Sequence, residues 1–202
     1  MTKSGLKIVA LTGPKGSGKD TVAQMIVDRY SNQMDVRLVA FADPIKKVIQ
    51  HVFGLDVNSN DEYDAFKRTM LTFNLKGSRM AAQQGRHVVR EIGMLMREYD
   101  DRQFTDYVTS QFSTHPDALW VVTDLRFDNE YMMLRSAGYG AKVVKIIRPQ
   151  YEYDGHITER AFDDHLVDQI LMNDGPLDFL EARVDIVMRN LFNWNFAAKN
   201  LL

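Results

Sequence analysis

The chain has no cysteine among its 202 residues. That excludes a disulfide framework and any thiolate metal site, and it suits a reducing compartment. Histidine is sparse too: His51, His87, His115, His156 and His165 include no pair at the close spacing with which a zinc site gathers imidazoles. A structural metal is not expected. Neither sign of charge is in excess, since 25 basic and 27 acidic residues leave a net charge of -2. Such a balance argues against a surface that neutralises long stretches of nucleic acid. No apolar run approaches the roughly 18 residues that span a bilayer. The first apolar stretch is broken by Gly13-Pro14-Lys15 too soon for a signal peptide, so a cytoplasmic protein with neither membrane nor nucleic-acid partner is expected.

What is present is ordinary in bulk, with 45% hydrophobic and 26% charged residues. The length suits one domain with a full core. The informative stretch is residues 13–21, Gly-Pro-Lys-Gly-Ser-Gly-Lys-Asp-Thr, which follows the apolar run 6–11 and precedes apolar residues at helical spacing. Strand, glycine loop and helix are predicted. Such a loop turns backbone N–H groups inward at a helix N-terminus, where open donors and the helix dipole favour an anion. The anion expected is the phosphate chain of a nucleotide.

Gly13, Gly18 and Lys19 satisfy G-x-x-x-x-G-K, with Lys15, Gly16 and Ser17 completing the loop. Lys19 is expected to reach the outer phosphates as a point charge. The next position, where Ser or Thr ordinarily binds Mg²⁺, holds Asp20, and Thr21 follows. Both are candidates for Mg²⁺, directly or through water. The form with Gly16, Gly18 and Thr21 resembles the loop of small-molecule and nucleoside monophosphate kinases. Chance would produce it in roughly one chain of this length in several hundred, which makes a mere glycine-rich turn the weaker explanation.

Strands alternate with helices along the rest of the chain, predicting a mainly parallel, doubly wound α/β sheet. A helix is predicted over residues 19–32 and a buried strand over 36–42. Asp43 is then expected to cap a helix running to residue 53, with Pro44 in its first turn and Gly54 as its stop. Residues 54–87 interrupt the alternation and are taken as a substrate-binding insertion, with a short helix over 63–71 and a loop up to Gly85. Helices over 88–99 and 103–113, a strand over 118–123, a helix over 127–137 and a strand over 142–147 follow. Residues 149–164 read as a polar lid that would exclude water. A strand over 166–172 and a long helix over 176–202 close the chain, all of it taken as a single domain.

Four later motifs extend the resemblance. Phe41-Ala42-Asp43-Pro44-Ile45-Lys46, Val89-Arg90-Glu91-Ile92-Gly93 with Arg97, Thr123-Asp124-Leu125-Arg126-Phe127-Asp128-Asn129-Glu130 and Asp154-Gly155-His156-Ile157-Thr158-Glu159 resemble, in order and spacing, segments of the deoxynucleoside monophosphate kinases of tailed bacteriophages. The resemblance implies transfer of the γ-phosphoryl group of ATP to a deoxynucleoside monophosphate, Mg²⁺ as cofactor and the cytoplasm of a host cell as location. It leaves a homodimer open. An acceptor phosphate is already anionic at pH 7, so this chemistry asks for in-line positioning and cations rather than a strong base.

Arg90 and Arg97, seven residues apart on one predicted helix, share a face about 10 Å apart along its axis. Arg90 has no acid at i±4 and is the candidate for the acceptor phosphate. Arg97 is a second candidate, although Asp100 and Asp101 at i+3 and i+4 offer it a plain ion pair. Asp124 ends an apolar strand, where it can hold the shell of Mg²⁺ or contact substrate, and Arg126 follows two residues on. Asp43 and Lys46 are candidate substrate contacts that capping and solvation explain equally well. Arg148 closes a strand beside the lid, and with Lys19 and Arg126 makes up the catalytic cations; Arg160 lies within the lid.

Two other classes stay open. A related kinase, such as one for dephospho-coenzyme A, has the same loop, and so would a non-enzymatic ATP-binding subunit. A GTPase is excluded by the lack of Asn-Lys-x-Asp anywhere in the chain.

Overall fold

The computed structural model describes residues 6–56, 59–74, 80–136, 139–151 and 163–193. The fold forms two compact units, one made of residues up to Phe41 and from Val108 onward, the other of Ala42–Tyr107.

The first unit is built on a parallel five-stranded sheet. β1 (Lys7–Thr12) lies at its centre, and Ile8, Val9, Ala10 and Leu11 are wholly buried. A strand buried on both faces reads as an unbroken apolar run, as this one does. β5 (Leu119–Val122) pairs with β1 on one side and β6 (Lys142–Ile147) on the other. β2 (Val36–Val39) forms the edge beyond β5, and β7 (Gln169–Met172) the edge beyond β6. The order β2-β5-β1-β6-β7 makes β1 the point where successive crossovers change direction. Ligands bind at such switch points, beyond the C-terminal ends of the strands.

Helices α1 (Lys19–Tyr30) and α7 (Leu177–Phe192) cover one face. Val22, Ile26 and Tyr30 from α1, with Leu180, Val184 and Met188 from α7, form one buried cluster with Val9, Leu11, Val121 and Ile146. On the other face, Phe112 of α5 (Arg102–Thr114) meets Trp120 at 5.4 Å between ring centres. The doubly wound sheet expected from the alternation is present.

In the second unit, α2 (Asp43–Phe53), α3 (Asn60–Arg68) and α4 (Gly85–Tyr99) accompany a two-stranded antiparallel ribbon, β3 (Met70–Asn74) and β4 (Met80–Gln84). Phe53 and Phe66 pack with ring centres 4.7 Å apart. α6 (Asp128–Ser136) belongs to the first unit.

Several boundaries differ from the sequence expectation. β2 stops at Val39 and is an edge, with Arg37 and Leu38 exposed, so the near-continuous apolar run did not mark a buried strand. Asp43 is the first residue of α2 rather than its cap; Ala42 holds the cap position with no side-chain bond. α3 starts at Asn60 because Ser59 Oγ accepts from Glu62 N at 3.1 Å, and it ends before residues 70–71, which enter β3. The ribbon replaces the expected loop before Gly85, and α4 starts there rather than at residue 88. Residues 164–166 form a 3₁₀ turn, so the last strand is only four residues long. α7 runs to Phe192, where Asn193 turns left-handed with φ 53°, and the rest of the helix expected up to residue 202 lies outside the described residues.

Candidate functional site

β1 delivers the chain at the switch point into a loop that only glycine fits. Gly13, Gly16 and Gly18 have φ of 138°, 81° and 101°. At Gly16 a Cβ would collide with the ring of Tyr151, and at Gly18 it would lie 2.5 Å from Asn173 Nδ2. Gly18 is also the N-cap of α1, so no side-chain oxygen caps the first turn of this helix. The first turn therefore presents its donors and positive dipole end to the loop. Ser17 is fully buried, and its Oγ has no hydrogen-bond partner. A buried hydroxyl left in this way carries a desolvation penalty that a ligand oxygen can relieve. These features fit a phosphate chain.

Lys19 Nζ donates to Gly13 O and Pro14 O, both at 2.8 Å, so its charge lies over the loop. Lys15, Asp20 and Thr21 are exposed, the last two in the first turn of α1. Asp124 follows β5 beside β1, where Leu125 N donates to Leu11 O at 3.1 Å. Its Oδ1 accepts from Phe41 N at 2.7 Å, which ties the end of β5 to the chain leaving β2. Arg126 is held by its backbone: Glu130 Oε2 accepts from Arg126 N at 2.9 Å and from Phe127 N at 3.1 Å. Arg148 follows β6, with its guanidinium 5.0 Å from the centre of the Tyr151 ring. Among the described residues no group of three or more His, Asp or Glu side chains is gathered as a metal site. A nucleotide-bound Mg²⁺ needs none, since phosphate oxygens and water supply most of its ligands.

The structure thus brings Gly13 to Thr21, Asp124, Arg126 and Arg148 to one edge of the first unit's sheet. The remaining candidates lie in the second unit. Asp43 and Lys46 occupy the start of α2, and Lys46 Nζ donates to Asn60 Oδ1 and lies 5.8 Å from the Tyr63 ring centre. Arg90 and Arg97 are both on α4, half-buried. Arg97 stacks over the Phe104 ring at 4.2 Å, while Asp100 accepts from Arg102 Nε at 3.2 Å. That Asp100 contact holds its carboxyl below the usual range. Most of the expected lid, including His156, Glu159 and Arg160, lies outside the described residues.

Three contributors were missed in the sequence. Glu130 is the third residue of α6, where an acid reaching back to cap the helix is a known pattern. Asn173 is a polar residue ending an apolar strand, the same signal that marked Asp124. Tyr151 carried no signal.

A glycine loop between the central parallel strand and a helix, with an acid at the end of the neighbouring strand, defines a P-loop protein of the kinase type. The family model for deoxynucleotide monophosphate kinase matches residues 7–104 and 85–184, and the chain belongs to that family. It is therefore a nucleotide kinase, a phosphotransferase. A relative from Acanthamoeba polyphaga mimivirus, provisionally named a deoxynucleotide monophosphate kinase, is 28% identical over 155 residues, covering 70% of this chain and 74% of its own.

Among solved structures, the Mycobacterium tuberculosis APS kinase CysC in complex with AMPPNP and APS aligns over 93% of this chain and 98% of its own, at 13% identity and TM-score 0.47. TT1252 from Thermus thermophilus aligns over 93% and 99%, at 16% identity and TM-score 0.49. Both likenesses are distant, and the fold class stands on the strand order itself.

Proposed function

We propose that this protein transfers the γ-phosphoryl group of ATP to a deoxynucleoside monophosphate, releasing ADP and the deoxynucleoside diphosphate. The observation that carries the reading is the phosphate loop at the switch point of the sheet, with its orphaned Ser17 hydroxyl, in a chain of this family.

Bound ATP with Mg²⁺ would supply the transferable group and neutralise much of its charge. The loop amides from Lys15 to Lys19 and the Ser17 hydroxyl hold the donor phosphates from below. Lys19 turns from the Gly13 and Pro14 carbonyls to the outer phosphates and follows the charge as it shifts. Thr21, Asp20 and Asp124 would orient the shell of that Mg²⁺, directly or through water. Arg126 and Arg148 add positive charge on the β5 and β6 sides, where two mutually repelling phosphates must be held together. In the second unit, Arg90 holds the acceptor phosphate in a two-pronged grip, and Asp43 and Lys46 contact the same substrate. The acceptor phosphate is itself the nucleophile, so no general base is required.

The test is ADP release measured by a coupled assay with each common monophosphate, ribo and deoxy, and with dephospho-coenzyme A. ADP release strictly dependent on an added deoxynucleoside monophosphate supports the proposal. Turnover with dephospho-coenzyme A alone, or ATP binding with no turnover on any acceptor, overturns it.

A further inference from the structure

Asn173 lies just past β7, outside the motifs of the phosphate loop. Its backbone N–H donates to Ile147 O at 2.7 Å, which extends the β6–β7 pairing by one residue. Its side-chain Nδ2 donates to Ser17 O at 2.9 Å. The residue is thus anchored through its backbone and grips the loop through its amide.

The gripped peptide is the one before Gly18. A trans peptide points its C=O and N–H in opposite directions. Holding the Ser17 carbonyl towards Asn173 therefore turns the Gly18 N–H the other way, to the side of the loop away from β7. Glycine at φ 101° would tolerate other orientations, and α1 fixes only the far side of Gly18, through Val22 N to Gly18 O at 2.9 Å. We propose that Asn173 is a positioning residue for the phosphate loop, holding the Ser17–Gly18 peptide so that the Gly18 N–H donates to the phosphate chain of the nucleotide. This rests on the phosphate-loop reading of the site. It also explains why Gly18 meets the amide so closely: a side chain there would push Nδ2 off the carbonyl.

Two substitutions separate positioning from packing. Asn173→Ala removes the amide, and Asn173→Asp keeps its size and shape but sets an acceptor against the Ser17 carbonyl. Both keep the backbone bond to Ile147 O, so the fold should survive. Calorimetric titration with AMPPNP should show affinity about tenfold weaker for Asn173→Ala and about a hundredfold weaker for Asn173→Asp, with one lost bond in the first case and repulsion added in the second. The KM for the monophosphate should stay at the wild-type value and the melting temperature should move little. Wild-type affinity for AMPPNP in Asn173→Asp would overturn the inference. So would a loss of affinity matched by an equal rise in the monophosphate KM or by a large drop in melting temperature. Wild-type protein that fails to bind AMPPNP would remove the phosphate-loop reading itself, and the positioning role with it.

Discussion

At the scale of single residues, Lys19 and Asp20 make separable demands. Lys19 Nζ sits on two loop carbonyls, a place from which it can swing to a phosphate without any change in the fold. Lys19→Ala should therefore lower turnover by about a hundredfold or more, because a preorganised charge counts most where charge develops in the transition state. Melting temperature should hardly change, and near-normal turnover would refute the role. Asp20 stands where a hydroxyl ordinarily meets Mg²⁺, exposed in the first turn of α1. If its carboxylate orients the metal's water, Asp20→Ala should need more Mg²⁺ for half-maximal activity. An unchanged metal titration would leave Asp20 only its favourable interaction with the helix dipole. Residues such as these were legible in the sequence because spacing alone defines them. Glu130 and Asn173 carried weaker signals, an acid at the third position of a helix and a polar residue ending an apolar strand, and neither signal tells which backbone group the side chain holds.

At the scale of elements, α1 and α7 are joined by a polar cluster at the end of the buried apolar stripe. Tyr30 OH donates to Asp185 Oδ1 at 2.9 Å, Arg29 Nε donates to the same oxygen at 3.2 Å, and Arg189 pairs with Oδ2 at 2.7 Å. Burial, then the hydrogen bond to Asp185, pushes the Tyr30 phenol well above its ordinary value of 10.0. The folded state thus keeps this proton where the unfolded chain has lost it. Stability from this group is complete below about pH 10 and is lost as the pH rises from there towards the folded value. Asp185 runs the opposite way: burial alone would raise its carboxyl, but the bonds from Tyr30 and Arg29 bring it below 3.8. Its contribution is present above that value and disappears as the pH falls through the folded one. Tyr30→Phe should cost about 1 kcal/mol at neutral pH and flatten the alkaline loss, as read by thermal melts between pH 7 and 11. A melt profile unchanged at the alkaline end would deny the cluster this role. α1 was readable because its apolar residues recur at helical spacing, and β1 because an unbroken apolar run leads straight into the glycine loop. The ribbon β3–β4 was not, because Met70 to Asn74 and Met80 to Gln84 pair only with each other and lack the strict apolar alternation of a strand with one buried face. The burial of the 36–42 run was misjudged for a related reason. Apolar composition cannot distinguish an edge strand from a central one, and only pairing with β5 on one side reveals it.

At the scale of the whole molecule, the phosphate-loop candidates and the acceptor candidates belong to different units of one chain. That division gives the proposed reaction a signature that does not depend on turnover. A ligand that binds only the folded form slows amide exchange where it binds and stabilises by about 2.7 kcal/mol at a hundred times its dissociation constant. AMPPNP should protect residues 13–21 and the chain around Asp124, whereas a deoxynucleoside monophosphate should protect α2 and α4, where Asp43 and Arg90 lie. Arg90 decides the second half of this expectation. If its guanidinium grips the acceptor phosphate through two parallel bonds, a lysine cannot replace it. Both Arg90→Ala and Arg90→Lys should then raise the monophosphate KM by roughly thirtyfold or more, equivalent to about 2 to 5 kcal/mol, and leave AMPPNP affinity unchanged. Arg97→Ala should act differently. Its guanidinium lies over the Phe104 ring, so its loss should lower the melting temperature by a stacking contribution of about 0.5 to 2 kcal/mol and move the KM far less. Ordinary monophosphate affinity in Arg90→Lys would discard the two-pronged grip. Protection by the monophosphate confined to the first unit would go further, because it would move the acceptor off α4 altogether.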